Sequence, residues 1–256
     1  MPNILPFLLV AIFIGVLVFV KLKYVLKLKR KDNISSLIHT FWFQRKNLNF
    51  LPGQFLEWTL YHKKPDDRGI KRYFTIASSP TEKDLLLTTK IIPKSSSYKK
   101  ALKNLKVGKR IIISKPQGDF VLPENDKQKL IFIAGGIGIT PFRSIIKYLI
   151  DKNLKRDIIL FYNANSVEEF SFKDILENLG IKIIYIISDN PPKNWKGETG
   201  YLNEKIIKKH APDWKERLFY VSGPEPMVNT TNNILIKMSV PRKQIKNDYF
   251  PGYSEI

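Results

Sequence analysis

The residues with the clearest chemical potential form a glycine-rich loop at 135–141, with the sequence GGIGITP. The loop follows an apolar run at 130–134 and precedes a segment with helical periodicity. Glycines let a backbone approach a diphosphate closely, Thr140 can cap the next helix, and Pro141 fits that helix's first turn. The N–H groups at such a helix start point at the phosphates. The loop therefore predicts a dinucleotide site, and a tight structural turn is the alternative.

Two other segments carry groups that suit redox cofactors. The sequence RYFTIASSP at 72–80 offers an arginine for a diphosphate, an aromatic ring for an isoalloxazine, and a hydroxyl for flavin N5. The sequence SGPEPM at 222–227 follows a predicted strand and precedes a predicted helix, which is where α/β sheets bind ligands. Taken singly, each segment is equally compatible with an ordinary strand or turn.

Composition excludes several kinds of chemistry. The sequence has no cysteine, so it holds no disulfide, thiolate-bound zinc, cysteinyl iron–sulfur cluster or cysteine nucleophile. Its three histidines, His39, His62 and His210, lie far apart, and we predict no metal site. The net charge of +20 is compatible with nucleic acid, anionic lipid or an acidic protein. Because no basic–aromatic recognition module is present, we expect no nucleic-acid partner.

The elements that must position these motifs fall into two halves. Residues 24–122 predict short strands of an antiparallel β-barrel, interrupted by one helical segment at 98–105. After a polar linker at 123–129, strands alternate with helices, which predicts an α/β Rossmann-like parallel-sheet domain over 123–256. The predicted strands are 25–28, 40–43, 54–60, 73–77, 85–91, 110–114, 130–134, 158–162, 182–187 and 218–221. The predicted helices of the second half are 141–151, 172–178, 203–209 and 225–238.

The N-terminal segment is apolar. Residues 4–20 carry no charge and as a helix would reach about 26 Å, the lower limit for a membrane span. Six basic residues follow between Lys21 and Lys31, an excess that tends to stay in the cytoplasm. We therefore predict a transmembrane anchor at 1–23 that contacts membrane lipid in a single pass, with the soluble domains facing the cytoplasm. A signal peptide and a buried or interfacial helix are the alternatives.

In this order, the motifs R-x-F-T-x-x-S, G-G-x-G-x-T-P and S-G-P-x-x-M resemble those of the ferredoxin–NADP reductase superfamily, over about residues 24–253. The resemblance implies that the barrel is an FAD domain, that the second domain binds NAD(P)H, and that hydride passes to flavin N5. The expected function is a membrane-anchored FAD-dependent NAD(P)H oxidoreductase whose electron acceptor, a quinone, a cytochrome or another redox protein, is unidentified. The alternative is a non-catalytic flavin-binding electron-relay subunit of a larger membrane redox complex.

The resemblance also implies roles for individual residues. Thr75 would act at the flavin N5 edge, and Ser222 would lie near the nicotinamide, where many relatives have cysteine. No arginine follows the second Rossmann strand at 162–166, which favours NADH over NADPH. The residues implied for FAD are Arg72, Phe74, Thr75, Ser96 and Ser97, together with Lys90 through its backbone, for which a solvated lysine at a strand end is the alternative. The aromatic tail at 248–253 would place Phe250 or Tyr253 over the flavin face, and a terminal strand packed on the core is the alternative. Those implied for NAD(P)H are Gly135, Gly136, Gly138, Thr140, Pro141, Gly223, Pro224 and Met227.

Overall fold

The computed structural model describes residues 24–250, and its first half is one six-stranded antiparallel sheet with a single helix. The elements are β1 (Tyr24–Asn33), β2 (Ile38–Gln44), β3 (Phe55–Thr59), β4 (Lys71–Thr75), β5 (Asp84–Lys90), α1 (Ser97–Asn104) and β6 (Arg110–Ile113). The strands lie in the order β4-β3-β6-β1-β2-β5. The edge strands β4 and β5 meet where the Ala77 N–H donates to the Leu86 carbonyl at 2.9 Å.

Alternation along these strands builds the first core. In β3, Leu56 and Trp58 are fully buried on the inner face, whereas Glu57 between them is not. The Trp58 ring lies 5.3 Å from that of Phe43 on β2. Helix α1 places Tyr98 in the same core. The first half therefore has its own hydrophobic core, as the predicted barrel requires.

The second half is a six-stranded sheet with strand order β10-β9-β8-β7-β11-β12, and every strand pair is parallel. Its elements are β7 (Leu130–Gly135), α2 (Thr140–Asp151), β8 (Ile158–Ala164), α3 (Lys173–Glu177), β9 (Lys182–Ile187), β10 (Glu198–Thr199), α4 (Glu204–His210), β11 (Leu218–Pro224), α5 (Glu225–Lys237) and β12 (Ile245–Phe250). Alternate residues of β7 enter two separate cores, Phe132 on one face and Ile133 on the other. Burial on both faces explains the unbroken apolar run.

Two strands of the second half differ from the main prediction. Strand β10, which was not predicted, has only two residues, Glu198 and Thr199. Strand β12 has the polar sequence IKNDYF and lies at the sheet edge beside β11, so residues 248–250 form the terminal strand that was the alternative for the tail at 248–253. The chain moves from β7 to β8 on one side and later to β11 on the other. This reversal creates a crevice at the carboxyl ends of β7 and β11, the usual ligand position in such sheets.

The transmembrane part of the predicted fold class requires a correction. Over residues 24–250, no helix is long and apolar enough to cross a membrane. The longest helix in that range, α5, has 13 residues and reaches about 20 Å, short of the roughly 30 Å of bilayer hydrocarbon. The predicted anchor at 1–23 lies outside the described residues. The described residues therefore give no support to the transmembrane helix of the predicted fold class, to the single-pass location or to the lipid contact, and the fold class is corrected to the two sheet-containing halves.

Candidate functional site

A cleft of about 640 Å³ lies between the two halves. Its first wall comes from β4, β5 and α1, and its second wall from the loop after β7 and from β12. Residues predicted for a flavin site therefore face residues predicted for a nicotinamide dinucleotide. Its lining includes Arg72, Phe74, Thr75, Ile137, Thr140 and Phe250.

One end of the cleft is basic, and Arg72 is its central cation. The guanidinium bonds to the Asp66 carboxylate at 2.7 Å and donates to the carbonyls of Arg68 and Gly69 at 2.8 and 3.0 Å. It also lies over the Tyr98 ring, 5.2 Å from its centroid. The Nε of Arg72 is buried and has no partner. The predicted phosphate-binding arginine is thus rigidly held and retains one unused donor.

The N-terminus of α1 lies beside Arg72. Ser96 caps this helix by accepting from the Lys99 N–H at 3.4 Å. The Ser97 N–H donates to the Asp66 carboxylate at 3.0 Å, and the Ser97 hydroxyl accepts from the Asp66 N–H at 2.9 Å. Burial opposes ionisation of Asp66, but the Ser97 hydrogen bonds and Arg72 hold its pKa below the usual value. Asp66 shows that an anion is stable between Arg72 and the start of α1.

Lys99 is a second partly buried cation in the cleft, which the sequence did not single out. Its ammonium donates to the Lys90 carbonyl at 2.9 Å. Burial, followed by repulsion from Arg68 and Arg72, lowers the pKa of Lys99 to about 7. Because an anionic ligand would restore the charged form, this lysine is suited to a diphosphate.

Lys90 is predicted to contact the flavin through its backbone, and its side chain has a partner in the other half. Its ammonium bonds to the Glu169 carboxylate of the second half at 2.8 Å, and both side chains are mostly buried. Two other residues of β5, Thr88 and Thr89, line the cleft instead. The Thr88 hydroxyl is buried without a partner. Threonine at these positions carried no signal in the sequence, since it is common in any strand.

Three polar side chains meet where the two walls join. The Thr75 hydroxyl donates to the Asp248 carboxylate at 3.1 Å. Asp248 pairs in register with Ser222 on the adjacent strand, and the Ser222 hydroxyl is buried without a partner. Burial raises the pKa of Asp248 to about 7, although the Thr75 hydrogen bond acts in the opposite direction. We call Thr75, Asp248 and Ser222 the seam cluster; Asp248 was not predicted.

The glycine loop has the expected strand-to-helix course, through a 3₁₀ turn at Gly136–Ile139. Gly136 has a φ of +50°, and a Cβ added there would meet nothing within 4 Å. A Cβ on Gly138 would lie only 2.2 Å from the Ser222 carbonyl oxygen. Gly138 thus permits close packing against β11, whereas Gly136 leaves space open at the start of α2.

The predictions for the residues next to these glycines are confirmed in part. The Thr140 hydroxyl donates to the Ile137 carbonyl at 3.1 Å, and Ile139 is the cap residue, so the predicted Thr140 cap is wrong. Pro141 lies in the first turn, as predicted. The Met227 sulfur would contact a Cβ on either Gly135 or Gly223, at 3.1 and 3.0 Å, so it fills the space that these glycines leave.

Only one of the two aromatic residues predicted to cover the flavin is among the described residues. Phe250, the last residue of β12, lines the cleft, whereas Tyr253 lies outside the described residues. Pro224 ends β11, directly before α5. Phe250 is therefore the candidate for covering a bound ring, and Pro224 is the residue that turns the chain.

Buried polar atoms without hydrogen-bond partners indicate that the site fits a flavin dinucleotide. Buried polar side-chain atoms normally have hydrogen-bond partners. Of the few within residues 24–250 that lack one, Arg72 Nε and Thr88 Oγ1 belong to residues that line the cleft, and Ser222 Oγ lies on the strand beside the lining residue Asp248. A cation pair at one end and unused hydroxyls at the other match a ligand with a diphosphate and a polar ring system.

Comparison with known proteins assigns the two halves. The family model for an oxidoreductase FAD-binding domain matches residues 25–122, and that for an oxidoreductase NAD-binding domain matches 132–233. NADH-cytochrome b5 reductase 1 of Aspergillus terreus is 30% identical over 220 residues, covering 79% of this chain and 73% of the relative. The chain belongs to the ferredoxin–NADP reductase superfamily. As a member of this superfamily it carries FAD and NAD(P)H, and its predicted class, a FAD-dependent NAD(P)H oxidoreductase, is confirmed.

Other superfamily members set the limits of the comparison. The glycine betaine monooxygenase reductase subunit of Chromohalobacter salexigens is 28% identical over 194 residues, covering 73% of this chain and 52% of the relative. The chain therefore spans about half the length of that protein. A crystal structure of a Neisseria gonorrhoeae ferredoxin NADP⁺ reductase has a TM-score of 0.74 at 20% identity, covering 89% of this chain and 98% of that one. This likeness shows the shared fold.

Proposed function

We propose that this protein takes hydride from NADH onto FAD and delivers the electrons to a separate redox acceptor. The seam cluster carries the proposal, because it brings groups from both sheets to the point where the two half-sites meet. Bound FAD supplies the redox chemistry, accepting hydride at N5 and passing electrons onward. The protein's task is to hold and align the two cofactors.

The first wall holds the flavin. Arg72 and Lys99 bind the diphosphate at the basic end of the cleft, where Asp66 already shows that an anion is stable. Phe74, whose ring centroid lies 5.9 Å from that of Tyr98, packs against the ring system. Thr75 donates its hydroxyl hydrogen at the N5 edge, where it now bonds to Asp248. These roles follow from the lining order along β4, from cation to aromatic ring to hydroxyl.

The second wall holds the nicotinamide nucleotide. Space is open beside Gly136, shortly before the start of α2, and the backbone N–H groups of this helix start would bind the diphosphate there. Ser222 lies at the carboxyl end of β11 with an unused hydroxyl for the nicotinamide. Hydride transfer needs alignment of two rings at about 3–3.5 Å and no strong base. The neutral form of Asp248, which its raised pKa favours, avoids placing a negative charge where electron density arrives.

The end of β8 supports NADH as the donor. Residues 165–168 carry no arginine or lysine, and Glu168 is exposed there. A hydrogen bond from Ser166 lowers the pKa of Glu168, so the carboxylate is charged at neutral pH. A carboxylate at this position accepts from a ribose 2′-hydroxyl and repels a 2′-phosphate.

The test uses FAD-loaded protein reduced without oxygen. We expect NADH to reduce the flavin at least about tenfold more efficiently than NADPH, because the Glu168 carboxylate repels a 2′-phosphate. A panel of redox proteins and quinones then identifies the acceptor by its re-oxidation of the flavin. Protein that takes up no FAD contradicts the proposal. Flavin that binds but is reduced by neither nucleotide favours a non-catalytic relay subunit instead.

A further inference from the structure

A buried arginine joins the two halves just outside the cleft. Arg143, in the first turn of α2, is 3% exposed, and its partner Glu82 from the first half is 14% exposed. Nη2 of Arg143 donates to Glu82 Oε1 at 2.8 Å, and Nη1 donates to Glu82 Oε2. Nη1 also donates to the Ala77 carbonyl at 3.0 Å. The arrangement is a bidentate ion pair with a further hydrogen bond to the backbone.

Segment 77–82, to which Arg143 binds, has further hydrogen bonds with both halves. The Ser144 hydroxyl, also on α2, donates to the Ser78 carbonyl at 2.6 Å. Glu82 accepts from the Ser79 N–H at 2.6 Å, which closes the segment on itself. From the first half, Arg45 donates to the Glu82 carbonyl at 3.2 Å. We call segment 77–82 together with Arg143 and Ser144 the clasp.

The clasp joins the two cofactor walls close in sequence to a predicted cofactor contact on each side. Segment 77–82 begins two residues after Thr75, the predicted N5 contact. Arg143 lies three residues after Thr140, where the glycine loop becomes α2. Neither Arg143 nor Glu82 lines the cleft. A shift in the clasp therefore moves one cofactor wall relative to the other without removing any group that contacts a cofactor.

We propose that Arg143 and Glu82 are positioning residues that set the separation of nicotinamide and flavin during hydride transfer. The inference rests on the function proposed above. A misplacement of about 1 Å can slow a reaction about 100-fold, so directional bonds across this boundary matter for rate. Stability alone does not require the pair, because a buried ion pair can often be replaced by uncharged residues without loss of stability.

The test is the neutral double variant Arg143→Met with Glu82→Gln. It leaves no unpaired buried charge, and glutamine keeps an acceptor for the Ser79 N–H. In the protein without nucleotide, we expect faster hydrogen exchange of the amides in segment 77–82. We expect unchanged FAD content and an NADH dissociation constant within about threefold of wild type. At saturating NADH, anaerobic flavin reduction should slow by at least about tenfold.

The matched control is Arg217→Met with Asp213→Asn. Arg217 is also a buried arginine, bonded to Asp213 and Asp157, but it lies before β11 at the opposite end of the sheet from Ser222. We expect its reduction rate to stay near wild type. If the clasp double variant does not fold, Arg143→Lys, which keeps the charge but loses the bidentate geometry, must show the same slowing.

The outcomes separate this inference from the function it rests on. A wild-type reduction rate in the clasp variant, unchanged exchange in segment 77–82, or equal slowing in the control overturns the positioning role. Failure of the proposed function shows earlier, as wild-type protein that does not retain FAD or is not reduced by NADH.

Discussion

The two walls of the cleft prepare for anions by different means. The first wall uses charged side chains, Arg72 and Lys99, beside a helix start. The glycine loop of the second wall, 135–141, has no cationic side chain, and the nearby Arg143 is committed to Glu82. Fixed side-chain charge suits a cofactor that stays bound, whereas backbone donors and shape suit one that leaves after each turnover. On the function proposed above, we therefore expect the first wall to retain its cofactor and the second wall to exchange its own.

The largest effect is expected when a negative charge is added to the glycine loop of the second wall. Gly136→Asp should lower NADH-dependent flavin reduction at least about 100-fold, because like charges placed together cost several kcal/mol. FAD content should not change. Stopped-flow reduction under nitrogen measures the effect.

Gly136→Asn is the control for that substitution. Asparagine tolerates a positive φ as aspartate does, and space is open at this position. We expect it to keep most of the activity. Equal losses in both variants would mean that shape and not charge is the basis of the defect.

Removing charge from the first wall is the converse experiment. Arg72→Ala should weaken FAD binding roughly 10- to 100-fold, since a hydrogen bond to a charged group contributes about 1.5–3 kcal/mol. Fluorescence titration of the apoprotein measures the affinity. Arg110→Ala, an exposed arginine on β6, should bind FAD as wild type does. An Arg72→Ala protein that retains FAD fully would contradict the side-chain mechanism.

A third experiment asks whether the first wall titrates. Because the pKa of Lys99 is about 7 without ligand, FAD binding should take up a proton and weaken about tenfold between pH 6 and pH 8. Calorimetry in buffers of different ionisation enthalpy measures the proton. Lys99→Arg, which stays charged, should bind FAD with a flat pH profile. A pH profile unchanged by this substitution would exclude Lys99 as the titrating group.

The smallest expected effect is at the seam cluster. Flavin reduction should slow about fivefold as the pH rises through about 7 and Asp248 ionises. Two unit charges about 4 Å apart in water repel each other by about 1 kcal/mol, and a barrier raised by that amount slows a reaction about fivefold. Asp248→Asn should remove this step. Because folding raises the pKa of Asp248 from 3.8, its contribution to stability is complete below about pH 4 and lost as pH rises through 7. Denaturant unfolding at pH 5 and pH 8 tests that sign against the asparagine variant.

Most of the fold was predictable because its strands carry strong patterns. The apolar runs at β7 and β8 are buried on both faces, and composition alone is enough to recognise such strands. Strand β12 was only an alternative for the tail, because an edge strand with the sequence IKNDYF buries little and becomes a strand by pairing with its neighbour β11. The predicted membrane helix found no support, because none of the helices within residues 24–250 is able to cross a membrane.

The candidate site was predictable only where residue type and chemistry are closely linked. Arg72, Thr75 and the glycines were recognisable because phosphates and flavins need such groups. Lys99 and Asp248 have no local signature, and they meet the motifs only because distant segments fold together. The ion pair of Lys90 was not predictable for the same reason, since its partner Glu169 is 79 positions away.

The contact between Gly138 and the Ser222 carbonyl also bears on how this protein can be recombined with its relatives. The two segments, 135–141 and 222–227, share one wall with no room for a methyl group between them. A chimera that imports one segment from a relative with a different backbone path will clash at this point. The two segments should therefore be exchanged together. A chimera that takes both from the same relative preserves the close packing of the second wall.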